Sequence, residues 1–366
     1  MSVATGRLAL MADLPRRALL GERIARHGLG STRADSPASA TALTTAVQAQ
    51  DSLAARLGVR VRATKVTDVD VVHAIETDRT IVRTWLMRGT IHLVEASDLR
   101  WMVRLIGPAV ARKFRTRWRQ LGLTDDVLER SVAALPELLA DGPRNRHEIR
   151  AALDERGVTI DSPDPQAHTH ALVYASTIGL ICRGPDRGRH STFALIDKWV
   201  PDAPSGPSGD DALAELARRY FSAYSPATAH DFAAWAGLPH AQAVQLIRDE
   251  LTPVDVDGRP GFRLGEVEPQ RGVRLLPAFD NYLIGYKDRA AILEPALHEH
   301  VYQGGMIRPT ILVDGEVVGT WALERAKGRV TISPFAPLTA RVRASVAEEV
   351  ADVARFLGRE LDVATY

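Results

Sequence analysis

The sequence predicts an α+β protein: three tandem motifs, each a helix-turn-helix followed by a β-hairpin, and then a small β-rich C-terminal region. Three observations predict it. The order helix, turn, helix, hairpin is spelled three times between residues 16 and 268. A Pro, Gly and Ser-rich run, Pro201 to Gly209, separates the second copy from the third and lacks the side chains to build a core. Beyond residue 269 the apolar runs become short and strand-like. The copies share order rather than sequence, which makes them structural repeats.

The elements follow in chain order. Residues 1–15 are expected to be loosely ordered, and Arg16 to Arg26 has the spacing of a short amphipathic helix. Ser36-Pro37 opens a helix to about Val47, with Ser at the cap and Pro in the first turn. Leu53 to Ala63 mixes aliphatic and Arg residues and fits helix or strand equally. Thr67-Asp68 caps a helix through Glu76, and Ile81 to Val94 alternates around an Arg88-Gly89 turn. One helix is expected from Leu99 to Ile106 and a second, started by Pro108, to about Leu121. The second copy has helices Asp125 to Leu139, Asn145 to Arg156 and Pro165 to Ile178, then a hairpin of Leu180 to Gly184 and Ser191 to Ile196. The third has helices Ala212 to Tyr224, Ala229 to Ala236 and His240 to Glu250, with a hairpin of Leu251 to Val256 and Phe262 to Val267. Strands follow at Val273 to Leu276, Thr310 to Val313, Glu316 to Glu324 and Arg329 to Ile332, and a helix from Leu338 to Leu357 closes the fold. Helix-turn-helix plus hairpin is the winged-helix order. The expected boundaries are 16–122, 123–200, a linker at 201–210, 211–268 and 269–366.

Composition bounds the function. Hydrophobic residues at 45% and charged residues at 25% are those of a folded globular chain. The formal charge of +1 calls for no polyanionic partner by itself, so local clusters must carry any such case. Cys182 is the single cysteine, which excludes an internal disulfide and a Cys-rich zinc site. No apolar stretch approaches the ~18 residues of a membrane span, and the expected location is the cytoplasm. His168 and His170, like His298 and His300, are spaced two apart, and no His-Glu-x-x-His or carboxylate set completes a metal site. No phosphate loop, dinucleotide fingerprint or nucleophile elbow is present, so neither a metal nor a cofactor is expected.

The stretch with most chemical content is Gln48-Ala49-Gln50-Asp51. In an extended segment, side chains at alternate positions share a face, so Gln48 and Gln50 could hold one water between them. A carboxamide donates and accepts without titrating, and therefore orients water without taking its proton. That suffices only where the leaving group is already activated. The competing reading is a polar pair at a helix end bonded to local backbone. Asp51 has two readings as well, polarising the water or capping the next segment.

Basic residues gather in three places. Arg112-Lys113-Phe114-Arg115-Thr116-Arg117-Trp118-Arg119 puts Arg112, Arg115 and Arg119 on one helical stripe and the aromatics on another. Arg83 and Arg88 lie on the first hairpin beside Trp85 and His92, with Trp85 expected to pack in the core. Arg187 and Arg189 sit at the tip of the second hairpin. Arg83, Arg88, Arg112, Lys113, Arg115, Arg119, Arg187 and Arg189 are the candidate contacts to phosphate, where cations gain by releasing condensed counterions. Pro277 to Asp288 is rich in polar and aromatic residues and is expected to form a buried turn tied by Asp280 and Asn281.

Gln48 to Asp51, Arg83 to Val94 and Pro277 to Asp288 resemble the winged-helix DNA glycosylases of the AlkZ family, over roughly Leu19 to Leu357. The resemblance implies three tandem winged helices around a DNA-sized concave surface. It implies further that Gln48 and Gln50 are the catalytic pair of a Gln-aliphatic-Gln motif, with Ala49 between them. A branch with Asp at the second position is not the one matched here. The Gln-Gln branch is associated with bulky natural-product adducts and cross-links. The expected activity is monofunctional hydrolysis of the N-glycosidic bond of N7-alkylguanine in double-stranded DNA, by a monomer. The alternative is a winged-helix transcriptional regulator that binds DNA without chemistry.

Overall fold

Short polar side chains start most of the helices. Ser36 accepts from the Ser39 backbone N–H and Ser39 reciprocates, Thr124 accepts from Val127, and Asn145 and Glu148 form a second reciprocal box. Thr67 and Asp70 do the same for the helix Asp68–Glu76. The computed structural model describes residues 14–365. The loose order expected for residues 1–15 therefore falls almost wholly outside the described residues.

The chain divides into two compact units. One takes the described residues up to 72 with Ala214–Trp235 and those from Pro239 onward, and the other is His73–Leu213 with Ala236–Leu238. This partition differs from the expected tandem segments, because residues 16–122 contribute to both units. Both helices and strands are plentiful, as an α+β fold requires.

In the first unit, Arg16–Arg26 is helical as expected, and the helix Pro37–Ala42 ends five residues early. Thr45 takes a left-handed φ of 67°, and the chain leaves in extended form at Val47–Gln48. The segment left open between helix and strand is the helix Ser52–Arg60. Gly209–Tyr224, Ala229–Ala236 and His240–Leu246 precede the antiparallel pair Leu251–Asp255 and Pro260–Leu264. The C-terminal sheet has the order Asp362–Thr365, Arg329–Pro334, Glu316–Glu324, Thr310–Val313, Val273–Leu276. Its last strand was not expected from the sequence. It pairs in parallel with Arg329–Pro334, and the helix Ala340–Leu357 makes the crossover that parallel strands require.

In the second unit, the hairpins Ile81–Trp85/Ile91–Glu95 and Ile181–Arg187/His190–Leu195 join in one sheet through antiparallel pairing of Arg83 with Arg183. The second hairpin is longer than expected, with its turn at Gly188. The two helices expected on either side of Pro108 are one, Ala96–Gln120. Proline removes a single ladder hydrogen bond, and burial of Leu99, Trp101, Met102, Ile106, Val110 and Trp118 outweighs that loss. Gly107 lets the Thr177 carbonyl approach so closely that a Cβ would lie 1.9 Å from its oxygen. The linker is irregular, as expected, but it is tied down. Arg104 donates to the carbonyls of Ser205 and Pro207 at 2.7 and 2.8 Å, and Arg100 to that of Ala203 at 3.0 Å.

Candidate active site

Side chains from distant parts of the chain bond the backbone on either side of Val47 in the extended Val47–Gln48 segment. The Asn281 carboxamide donates to the Ala46 carbonyl at 2.5 Å and accepts from the Gln48 N–H at 3.3 Å, so it straddles the chain on either side of Val47. The same amide nitrogen donates to the Tyr224 hydroxyl at 2.9 Å, and that hydroxyl donates to the Thr44 carbonyl at 3.1 Å. Downstream, Arg62 forms a two-pronged ion pair with Asp280 at 2.8 Å on each side, both side chains fully enclosed. Burial alone would lower the Arg62 pKa, but the Asp280 carboxylate more than reverses this, so the guanidinium stays charged. Asp280 also caps the short helix Asn281–Ile284 by accepting from Tyr282 at 2.9 Å. Arg60 reaches Glu349 at 3.3 Å and Asp352 at 3.0 Å, which fastens the helix after the motif to the C-terminal helix.

The expected buried turn at Pro277 to Asp288 is therefore the support of the glutamine motif. Sequence reading found Asp280 and Asn281 but missed what they hold, and it missed Tyr224, Arg62 and His27 altogether. The one signal for Arg62 was a pair of arginines, Arg60 and Arg62, inside an otherwise aliphatic run. His27 is fully enclosed, bonds the Tyr286 hydroxyl at 3.2 Å, and lies edge-on to Tyr224 with ring centres 4.7 Å apart. Burial, followed by the charges of Arg62 and Arg23, drives its pKa well below the ordinary imidazole value, so it is neutral at pH 7.

Gln48 and Gln50 are not alike. Gln48 lies in the extended segment and is 8% exposed, whereas Gln50, at the bend after Ala49, is exposed. The chain thus leaves the helix before the motif, with Gln48 buried in the extended segment and Gln50 facing solvent at the bend. Asp51 caps the next helix, accepting from the Ala54 N–H at 2.8 Å, which is one of its two expected roles.

All the candidate phosphate contacts belong to the second unit. Arg112, Lys113, Arg115 and Arg119 are exposed on the helix Ala96–Gln120, while Trp118 is buried and donates to His170 at 3.2 Å. Lys113 donates to the Arg88 carbonyl at 2.8 Å, which brings the first hairpin tip and the basic helix together. Arg88 has φ 60° and Gly89 φ 75°, and a Cβ on Gly89 would lie 2.4 Å from the Phe114 ring. Beside them His92 is enclosed and donates from Nδ1 to the Thr90 carbonyl at 3.0 Å; burial and then Arg88 push its pKa down to about 3. Arg187 and Arg189 are exposed at the second tip, where Arg187 also donates to the Pro143 carbonyl at 2.9 Å.

Arg83 is placed differently from the others. It is 8% exposed and bonds both oxygens of Asp186, at 3.1 and 2.5 Å, so its charge joins the two hairpins. Trp85 is buried, as expected, and stacks on Phe193 at 6.1 Å, while Arg183 lies 4.5 Å from the centre of each ring. Burial and then the neighbouring Arg83 lower the Arg183 pKa to about 10. Among the described residues no cluster of three or more His, Cys, Asp or Glu could hold a metal, and no helix is long and apolar enough to cross a membrane.

Comparison with known proteins gives three findings. Residues 42–356 match the family described as DNA glycosylase AlkZ-like. A Streptomyces sahachiroi protein described as an interstrand DNA cross-link repair glycosylase is 31% identical over 332 residues, covering 85% of this chain and 88% of that one. The solved structure of the Streptomyces sahachiroi DNA glycosylase AlkZ superposes with a TM-score of 0.84 at 27% identity, covering 98% of this chain and all of that one.

Proposed function

Since the chain belongs to the AlkZ-like DNA glycosylase family, we propose that it hydrolyses the N-glycosidic bond of N7-alkylated guanine in duplex DNA, acting as a monomer on bulky adducts or interstrand cross-links. The observation that carries this reading is the extended Val47–Gln48 segment, anchored at its backbone by Asn281, with Gln50 exposed at the bend just beyond it. The cross-link assignment is supported by the role of the Streptomyces sahachiroi relative, an interstrand DNA cross-link repair glycosylase.

The chemistry matches what two amides can do. Alkylation at N7 leaves the purine with a positive charge, so the C1′–N9 bond is already weakened. The carboxamides of Gln48 and Gln50 orient a water toward C1′ by accepting and donating hydrogen bonds. The water oxygen bonds to C1′, the C1′–N9 pair of electrons neutralises the purine, and the water proton passes to solvent. The products are neutral N7-alkylguanine and an abasic site. No strong base is required, because the departing group needs no further protonation. The reaction is monofunctional, since no lysine neighbours the motif to form a Schiff base. N7 faces the major groove, where a bulky adduct is reachable from a hairpin. The three helix-turn-helix-plus-hairpin segments are taken as winged helices. Arg88, Arg112, Lys113, Arg115, Arg119, Arg187 and Arg189 are taken as their phosphate contacts, with Arg83 supporting the first two hairpins from within.

The test is base release from duplexes carrying N7-methylguanine and a bulkier N7 adduct. Gln48→Ala and Gln50→Ala should each abolish release and leave duplex affinity near that of the unaltered protein. An unaltered protein inert on every N7 adduct, yet selective for one promoter sequence, would overturn the proposal in favour of a regulator.

A further inference from the structure

The candidate phosphate contacts named above lie in the second unit, whereas the glutamine motif lies in the first. The first unit has a cationic cleft of its own, about 700 Å³ in volume and lined by Arg259, Lys287, Arg289, His230, His298 and Asp288. Three permanent cations face a single carboxylate there, and that carboxylate, Asp288, is already engaged by Arg259. Among the described residues the His298 Nε2 is buried without a hydrogen-bond partner, and His298 lines the same cleft. A cleft with surplus positive charge suits an anion with several acceptor oxygens.

The cleft walls are held in place. The Lys287 backbone N–H donates to the buried Asp231 carboxylate at 2.8 Å, and the Tyr286 hydroxyl donates to the Tyr224 carbonyl at 3.0 Å. Arg289 donates to the Leu283 carbonyl at 2.7 Å and lies 4.8 Å from the Tyr302 ring centre. Lys287, by contrast, is exposed and carries its ammonium on a flexible stem. It also lies on the segment that supports the glutamine motif. Lys287 follows Asn281 by six positions, part of them helical, so the two are at most about 20 Å apart. At about 3.4 Å per step along one strand, that is about six nucleotides or fewer.

We propose that this cleft is a binding site for the phosphodiester backbone of the DNA strand that carries the lesion, within a few nucleotides of the damaged base. The inference rests on the DNA-directed reading above and extends it to residues outside the hairpins and the basic helix. The test uses the full chain and an undamaged 20-base-pair duplex, with affinity followed by fluorescence anisotropy from low to moderate salt. Lys287→Gln should weaken binding several-fold at low salt and make the slope of log affinity against log salt shallower by about 1, while Lys287→Arg restores both. Adding Arg259→Gln to Lys287→Gln should flatten the slope further. Thermal melting of each variant separates these effects from misfolding. If both variants keep the original affinity and slope while the unaltered protein releases alkylguanine, the cleft assignment is wrong and the glycosylase reading stands. If the variants lose affinity as expected but the unaltered protein releases no base, the cleft stands and the catalytic reading falls. An unaltered protein that does not bind duplex DNA overturns both.

Discussion

Asn281→Ala tests whether the glutamine motif owes its geometry to one distant side chain. The substitution removes the acceptor for the Gln48 N–H and the donor to the Ala46 carbonyl, both in a segment that is almost fully buried. The third partner, Tyr224, keeps its bond to the Thr44 carbonyl. Two buried hydrogen bonds to backbone are thus lost, each worth about 0.5–1.5 kcal/mol net. The expected loss is about 1–3 kcal/mol, a sizeable share of the roughly 5–15 kcal/mol by which such a protein is stable. The same two bonds fix where Gln48 sits, and a displacement of about 1 Å costs a positioned reaction on the order of 100-fold in rate. Urea unfolding measures the first quantity, and single-turnover release of N7-methylguanine at a temperature where the variant is folded measures the second. Asn281→Asp is the companion variant. It keeps the volume and an acceptor for Gln48 but sets a carboxylate oxygen against the Ala46 carbonyl, so it too should lose stability. If Asn281→Ala unfolds within about 0.5 kcal/mol of the unaltered protein and releases base at the full rate, the support argument is refuted.

Three further outcomes follow from the geometry. Asp51→Ala should lower stability by about 0.5–2 kcal/mol through loss of the helix cap while leaving single-turnover base release intact; a large rate loss in a stable variant would assign Asp51 to the water instead. Gly107→Ala, which in an open helix would stabilise by up to about 1 kcal/mol, should destabilise here because the new Cβ meets the Thr177 carbonyl, and a raised melting temperature would contradict that packing. His92 has a folded pKa of about 3, below its ordinary value of 6.5, so between these limits the unfolded chain binds the extra proton and stability falls as pH drops. Unfolding measured from pH 7 to pH 4 should therefore show a shallower pH dependence for His92→Gln than for the unaltered protein, and identical slopes would refute the burial argument.

Local chemistry made much of the element order legible. Ser36 and Thr67 each announced a helix start, and Arg88-Gly89 announced a turn, because caps and left-handed positions act on backbone a few residues away. The first helix, Arg16–Arg26, was readable from apolar spacing alone. Pro108 misled for the same reason: proline is a local stop signal, and here burial along the rest of the helix overrode it. The resemblance of Gln48 to Asp51 to a glycosylase motif was likewise visible in a handful of adjacent residues, and the family it pointed to is the one whose model matches residues 42–356.

Sequence by itself thus determined where helices and hairpins begin, which residues carry charge, and which short motif resembles that of a glycosylase. Tertiary structure alone decided that residues more than 200 positions away hold that motif, through Asn281 at Ala46 and Gln48 and through Asp280 at Arg62. It also decided that Arg83 is spent on Asp186 inside the protein while Arg112 and Arg119 face solvent, although all three are arginines. The physical reason is range. Capping and turn preferences are fixed by neighbours along the chain, whereas the partner of a buried amide or guanidinium is fixed by whatever the folded chain brings within about 3 Å of it.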